Sequence, residues 1–288
     1  MRWLLALVAP RLIAGAASRF RELGLDEATF RRSRTALARA LRDGAHLTRS
    51  EMAATLQAAG VSTEGQRLSY LLGRAEIDGV ITSGATRGKQ TTHALLELRA
   101  PDARAVLPRD EAIAELALRY FRGRGPATAG DFPWWAGTTL VEARAAIAAA
   151  DSALVAEDFD GIPMWRADVE MPSAPSGALL LPAFDEYLVA YARREAVLAT
   201  EHVRRINAGG GLLSPCIVID GRVVGLWRRT LSARAVGVEA TLFAAVSKQR
   251  ERAILAAAER YGAFLGLPMH LDLRVDSSRD AKPAAPLS

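Results

Sequence analysis

Apolar positions recur at helical spacing through the first part of the chain, and the polar positions between them mark where each element stops. Residues 3–23 and 26–42 are predicted helices; the second opens on the acidic turn Leu25-Asp26-Glu27-Ala28, aligns Phe30, Leu37 and Leu41, and ends at Gly44. A compact three-helix pattern follows. Leu47-Thr48-Arg49-Ser50-Glu51 opens a helix to Ala59, Gly60 makes the turn, and a second helix runs from Ser62 to about Asp78. After Gly79 the period switches to two: Val80-Ile81-Thr82-Ser83 and His93-Ala94-Leu95-Leu96-Glu97-Leu98 flank the polar loop 85–90 and predict a hairpin, a wing in this context.

The same order then returns. A helix at 109–123, the small-residue turn 125–130, a short helix with Trp134 and Trp135, a helix at 139–150 and a hairpin about Asp158-Phe159-Asp160-Gly161 predict a second winged unit. The Pro/Ser/Gly cluster 172–177 marks a boundary. Beyond it the pattern predicts a helix near 185–192, strands at 215–220 and 222–227 joined by Asp220-Gly221, and a long helix at 239–264. The fold class is therefore α+β, tandem winged helix-turn-helix units followed by a small β-rich, barrel-like C-terminal domain. The expected divisions are a helical remnant at 1–45, winged helices at 46–104 and 105–171, the β-rich domain with its long helix at 177–275, and a disordered tail at 276–288.

Composition changes this picture little. Half the residues are hydrophobic, as in a globular protein, and 37 Lys+Arg against 32 Asp+Glu leave a net charge of +5. That surplus permits a polyanionic partner, although the preference for arginine over lysine also follows from GC-rich coding. The single cysteine, Cys216, cannot form an internal disulfide and reads as a buried strand residue in a cytoplasmic protein. The start of the chain imitates a signal peptide, but Pro10 and Arg11 interrupt the apolar stretch, and no uninterrupted run approaches the roughly 20 residues of a membrane span. The four histidines lack metal-ligand spacing, and Gly209-Gly210-Gly211 lacks the context of a phosphate loop, so no metal or cofactor is expected.

Four stretches carry a resemblance: 2–7 running into Ala9-Pro10-Arg11, Gly88-Lys89-Gln90, Leu181-Pro182-Ala183-Phe184-Asp185-Glu186-Tyr187-Leu188, and the run from Ile217 to Arg229. Together they resemble the AlkZ/YcaQ DNA glycosylase family, from residue 1 to about residue 268. The resemblance implies tandem winged helices and excision of bulky alkylated bases or unhooking of interstrand crosslinks through a Gln-hydrophobic-Gln or Gln-hydrophobic-Asp motif. None of Gln57, Gln66, Gln90 and Gln249 has Gln or Asp two residues on. The expectation is a chain that lacks the family's catalytic N-terminal segment, through a downstream start or as a truncated paralogue.

Candidate DNA contacts are Arg67 and Arg74 on the second helix of the first helix-turn-helix, Arg87, Lys89 and Gln90 at the wing tip, and Arg228 and Arg229 at a hairpin end. For each the competing reading is an ordinary solvated face or turn. Trp134 and Trp135 are candidates to stack on an extruded base, against the commoner role of core plugs. Asp185 and Glu186 are candidate catalytic acids, against a role at a helix N-terminus. The leading expectation is a cytoplasmic monomer that binds double-stranded DNA, alkylated or crosslinked, without base excision and without a membrane. An active DNA N-glycosylase with a relocated or upstream catalytic residue and a winged-helix transcriptional regulator are the rivals.

Overall fold

The computed structural model describes residues 2–101, 107–150, 153–170, 177–209 and 212–276. The cluster at 172–176, two of the three glycines at 209–211 and the tail from 277 onward lie outside them. The chain divides into two compact units, Met1–Arg119 and Tyr120–Ser288.

The first unit begins with α1 (Arg2–Glu22) and α2 (Glu27–Leu41), the latter N-capped by Asp26, whose carboxylate accepts the Thr29 amide at 2.7 Å. By length and composition α1 is, among the described residues, the one helix long and apolar enough to cross a membrane. This departs from the sequence expectation because the helix runs on through Pro10 and Arg11, while Trp3, Leu7 and Phe20 on it are buried. There follow β1 (Leu47–Thr48), α3 (Arg49–Ala58), α4 (Arg67–Ile77), β2 (Ile81–Ser83), β3 (Thr92–Leu95), α5 (Leu96–Arg99) and α6 (Arg109–Arg124). The strands form an antiparallel sheet in the order β1-β3-β2. Residues 96–98, expected to extend the second strand, turn into α5 instead. One core joins Phe30, Leu37 and Leu41 of α2 to Met52 and Leu56 of α3 and Leu71, Leu72 and Ala75 of α4. These are the residues at helical spacing, and burying them is what holds three short helices that would be marginal alone.

In the second unit come α7 (Asp131–Ala136), α8 (Leu140–Ala149), and the hairpin β4 (Leu154–Phe159) and β5 (Ile162–Ala167). A five-stranded sheet follows from β6 (Ala178–Leu181), β9 (Cys216–Ile219), β10 (Arg222–Leu231), β11 (Val236–Leu242) and β12 (Met269–Val275), with α9 (Glu186–Val189), α10 (Val203–Ile206), the small β7–β8 pair (Asn207–Gly209 and Leu212–Leu213) and α11 (Lys248–Leu265) between them. The order is β12-β11-β10-β9-β6, antiparallel except where α11 carries the chain over to make β12 parallel to β11.

Two expectations are corrected here. The sheet does not close into a barrel, since β6 and β12 are its separate edges. The long helix starts at Lys248 under a Ser247 cap rather than at 239, because Val236, Val238, Ala240 and Leu242 alternate into the core as β11. Alternation of that kind is a strand period, not a helical one. Cys216 lies buried on β9.

Candidate nucleic-acid interface

In the first unit, Thr48 ends β1 and caps α3. Its hydroxyl accepts the Glu51 amide while the Glu51 carboxylate accepts the Thr48 amide at 2.7 Å, a reciprocal capping box. The cap fixes Arg49 in the first turn of α3, where its guanidinium donates to the Ser69 hydroxyl of α4 at 2.7 Å. Opposite, the β2–β3 loop is drawn tight. The Arg87 amide bonds the Gln90 carbonyl at 3.0 Å and the Gln90 amide bonds the Arg87 carbonyl at 3.1 Å, leaving Gly88, at φ 62°, and Lys89 at the tip.

The loop is also tied at its base. Arg87 donates to Glu51 at 2.7 Å and to the His46 carbonyl at 2.6 Å, and His46 Nδ1 accepts the Ala85 amide at 2.8 Å. The Thr48 amide, Arg87 and the Thr48 hydroxyl hold the Glu51 carboxyl down at about 2. Arg49, Ser50, Leu68, Lys89, Gln90 and Thr91 thus line one cleft of about 560 Å³. Among the described residues Lys89 has no ion-pair partner.

The other cations expected on this surface are engaged inward. Arg67 donates to the Leu23, Gly24 and Ser62 carbonyls, clamping the turn between α1 and α2. Arg74, whose side chain is 10% exposed, pairs with Asp78 at 2.9 Å and Glu27 at 3.2 Å and lies over the Phe30 ring. The structure therefore brings Lys89 and Gln90 together with Arg49, a residue the sequence reading did not single out. The Thr48-x-x-Glu51 spacing was the available signal, because a capping box places the next residue on an exposed first turn.

In the second unit the predicted acids sit at α9. Asp185 is its N-cap and accepts the Tyr187 amide at 2.8 Å. Glu186 accepts from Trp135 Nε1 at 2.9 Å and pairs with Arg124 at 2.7 Å, whose guanidinium also covers the Trp135 ring at 4.8 Å. Trp135 continues into an aromatic cluster with Tyr120 and Phe132. Burial pushes the Tyr120 hydroxyl far above the usual phenol range, and it donates to the Ala190 carbonyl at 2.8 Å. Trp134 differs: it is 58% exposed, its indole N–H reaching the Val189 carbonyl at 3.2 Å. Arg228 is paired with Glu239 at 2.5 Å, and Arg229 donates to the Tyr261 hydroxyl. Asp131, also outside the sequence reading, is buried and accepts the Ala192 and Arg193 amides. Among the described residues no three His, Cys, Asp or Glu side chains gather as metal ligands.

Comparison with known proteins bears on what these surfaces serve. An interstrand DNA cross-link repair glycosylase of Streptomyces sahachiroi is 32% identical over 204 residues, covering 64% of this chain and 54% of the relative. The chain thus spans about half the length of that curated relative. The solved structure of Streptomyces sahachiroi DNA glycosylase AlkZ superposes with a TM-score of 0.74 at 27% identity, over 94% of this chain and 76% of the other. A family model described as DNA glycosylase AlkZ-like matches residues 1–264, and the chain belongs to that family.

Proposed function

We propose that this chain is a DNA-binding protein of the AlkZ-like family that engages duplex DNA, alkylated or crosslinked, through winged-helix units, and that base excision is absent from the residues present in it. The observation that carries the reading is the cleft in which Arg49 on α3 and Lys89 on the β2–β3 loop stand together. The arrangement α2-β1-α3-α4-β2-β3 with sheet order β1-β3-β2 supports a winged helix whose wing is the β2–β3 hairpin. Cations on a first helical turn and on a wing straddle a sugar-phosphate backbone, and backbone contacts of this kind position a protein without reading sequence. The order α6, α7, α8 and the β4–β5 hairpin over residues 109–167 supports a second winged helix of the same kind.

Two arguments support the lack of excision. Hydrolysing an N-glycosidic bond needs a carboxylate or amide placed to hold water against a developing oxocarbenium ion. No Gln-x-Gln or Gln-x-Asp triplet occurs in this sequence, and Asp185 and Glu186 each have one carboxylate oxygen engaged, Asp185 Oδ1 in a helix cap and Glu186 Oε2 in the Arg124–Trp135 clamp. The Streptomyces relative is an interstrand DNA cross-link repair glycosylase, which points to bulky duplex lesions as the ligand class.

The test is fluorescence anisotropy of labelled duplexes, plain and carrying N7-alkylguanine, across a salt series, followed by heat and alkali. Binding is expected to weaken with salt, and Arg49→Gln with Lys89→Gln is expected to lower the slope of log K against log salt by about 1.8, at about 0.9 per phosphate contact. An unchanged slope overturns the interface; strand breaks at the lesion overturn the lack of excision.

A further inference from the structure

A second cluster of cations in the first unit faces a cleft that the proposed interface does not use. Arg39 and Arg42 at the end of α2 and Arg2 at the start of α1 line a cavity of about 660 Å³ whose apolar wall includes Leu95 and Leu98. It lies where β2 begins and β3 ends, the end of that hairpin away from its loop. The size falls within the several hundred cubic ångströms typical of small-ligand sites.

Several cations of the unit are already engaged within the protein. Arg19, Arg34, Arg67, Arg74 and Arg87 each hold a carboxylate or a carbonyl of the protein. Among the described residues none of Arg2, Arg39 and Arg42 has an ion-pair partner, although Glu97 stands at the same cleft. The Nε of Arg2 is shielded from solvent and meets no acceptor. Neighbouring guanidinium groups repel, and an anion held among them relieves that repulsion.

We infer that this cleft is a seat for a phosphate group, borne either by a nucleic-acid backbone or by a small phosphorylated ligand whose carbon body rests on Leu95 and Leu98. Guanidinium forks match phosphate oxygens in pairs, and the mixed charged and apolar lining fits a phosphoester better than a bare halide or sulfate-like ion. The seat uses none of the side chains of the proposed wing interface.

Isothermal titration of the full chain with inorganic pyrophosphate at low salt tests it. Wild-type protein is expected to bind, and Arg39→Gln with Arg42→Gln to weaken binding at least tenfold. Both residues are exposed, so the fold should survive, as circular dichroism will show. The double replacement by lysine keeps the charge and should recover only part of the affinity. Equal binding by wild type and the glutamine variant, or no binding by wild type, overturns the inference. A duplex titration with the same variant locates the source: a salt slope lower by about 1.8 assigns a DNA backbone, and an unchanged slope with pyrophosphate binding lost assigns a small ligand. The Arg49→Gln, Lys89→Gln protein should keep its pyrophosphate affinity, which separates failure of this seat from failure of the wing interface.

Discussion

Replacing Asp131 with alanine should be among the most damaging single changes in the second unit. The residue is 3% exposed, and its two oxygens accept the Thr128 amide and hydroxyl at 2.8 Å, the Ala192 amide at 2.8 Å and the Arg193 amide at 3.3 Å. A hydrogen bond to an ionised acceptor is worth about 1.5–3 kcal/mol, so the two short amide bonds give about 3 kcal/mol at the low end, with the hydroxyl adding about 1 kcal/mol. Ala192 and Arg193 are exposed, and water reclaims part of what they lose, which brings the expected cost to about 3 kcal/mol. At about 2–4 °C per kcal/mol for a unit of this size, the second unit should melt about 6–12 °C lower in differential scanning fluorimetry. Asp131→Asn keeps one carbonyl oxygen but turns an amide N–H₂ on the remaining donors, so it should recover less than half. A shift under about 2 °C for the alanine variant would show that the carboxylate is not what fastens residues 192–193, and the reasoning would fail.

Other expectations follow from the same geometry. Arg74→Gln breaks a largely shielded pair with Asp78 and should cost about 2 kcal/mol in urea unfolding while leaving duplex affinity unchanged; a lower salt slope instead would place Arg74 on the DNA. The Glu51 carboxyl is held at about 2, below its ordinary 4.5, so the stability it contributes is complete above about pH 4.5 and is lost as pH falls towards 2. The melting difference between wild type and Glu51→Gln should shrink over that interval, and a difference constant with pH would refute it. Burial pushes the Cys216 thiol up to about 11, so a thiol-specific chromogen at pH 8 should react only after unfolding; prompt reaction of the folded protein counts against a buried strand position. A Cβ on Gly225 would lie 2.5 Å from the Thr241 carbonyl, so Gly225→Ala should cost about 1–3 kcal/mol, and a neutral urea midpoint would contradict that close approach.

Elements with their own period and punctuation were legible in the sequence. Asp26 and Thr48 announced helices, and Asp160-Gly161 and Asp220-Gly221 announced hairpins, because capping and turn chemistry act within a few residues. β11 was absorbed into the following helix because Ala240 and Leu242 also suit a helical period, and only pairing with β10 decides between them. β12 went unread because His270, Asp272 and Arg274 make it look polar, and its partner lies beyond a whole helix. Among the candidate site residues, one helix surface hid two destinations: Arg67 and Arg74 lie on α4 but turn to α2 and the turn before it. Sequence spacing tells which residues share a face, not which neighbour packs there.

The tether that binds Arg87 to Glu51 and to the His46 carbonyl has a consequence for the kinetics of any encounter at the proposed wing. A hairpin tip that must be ordered by its partner gives up part of the interaction energy to conformational entropy, at about 0.5–1.5 kcal/mol for each immobilised long side chain. Here the backbone of the tip is ordered within the folded unit, so it would meet a duplex already shaped, with the Lys89 and Gln90 side chains left to settle. Association would then proceed without a slow rearrangement, and residence time, more than arrival, would carry the difference between one duplex and another.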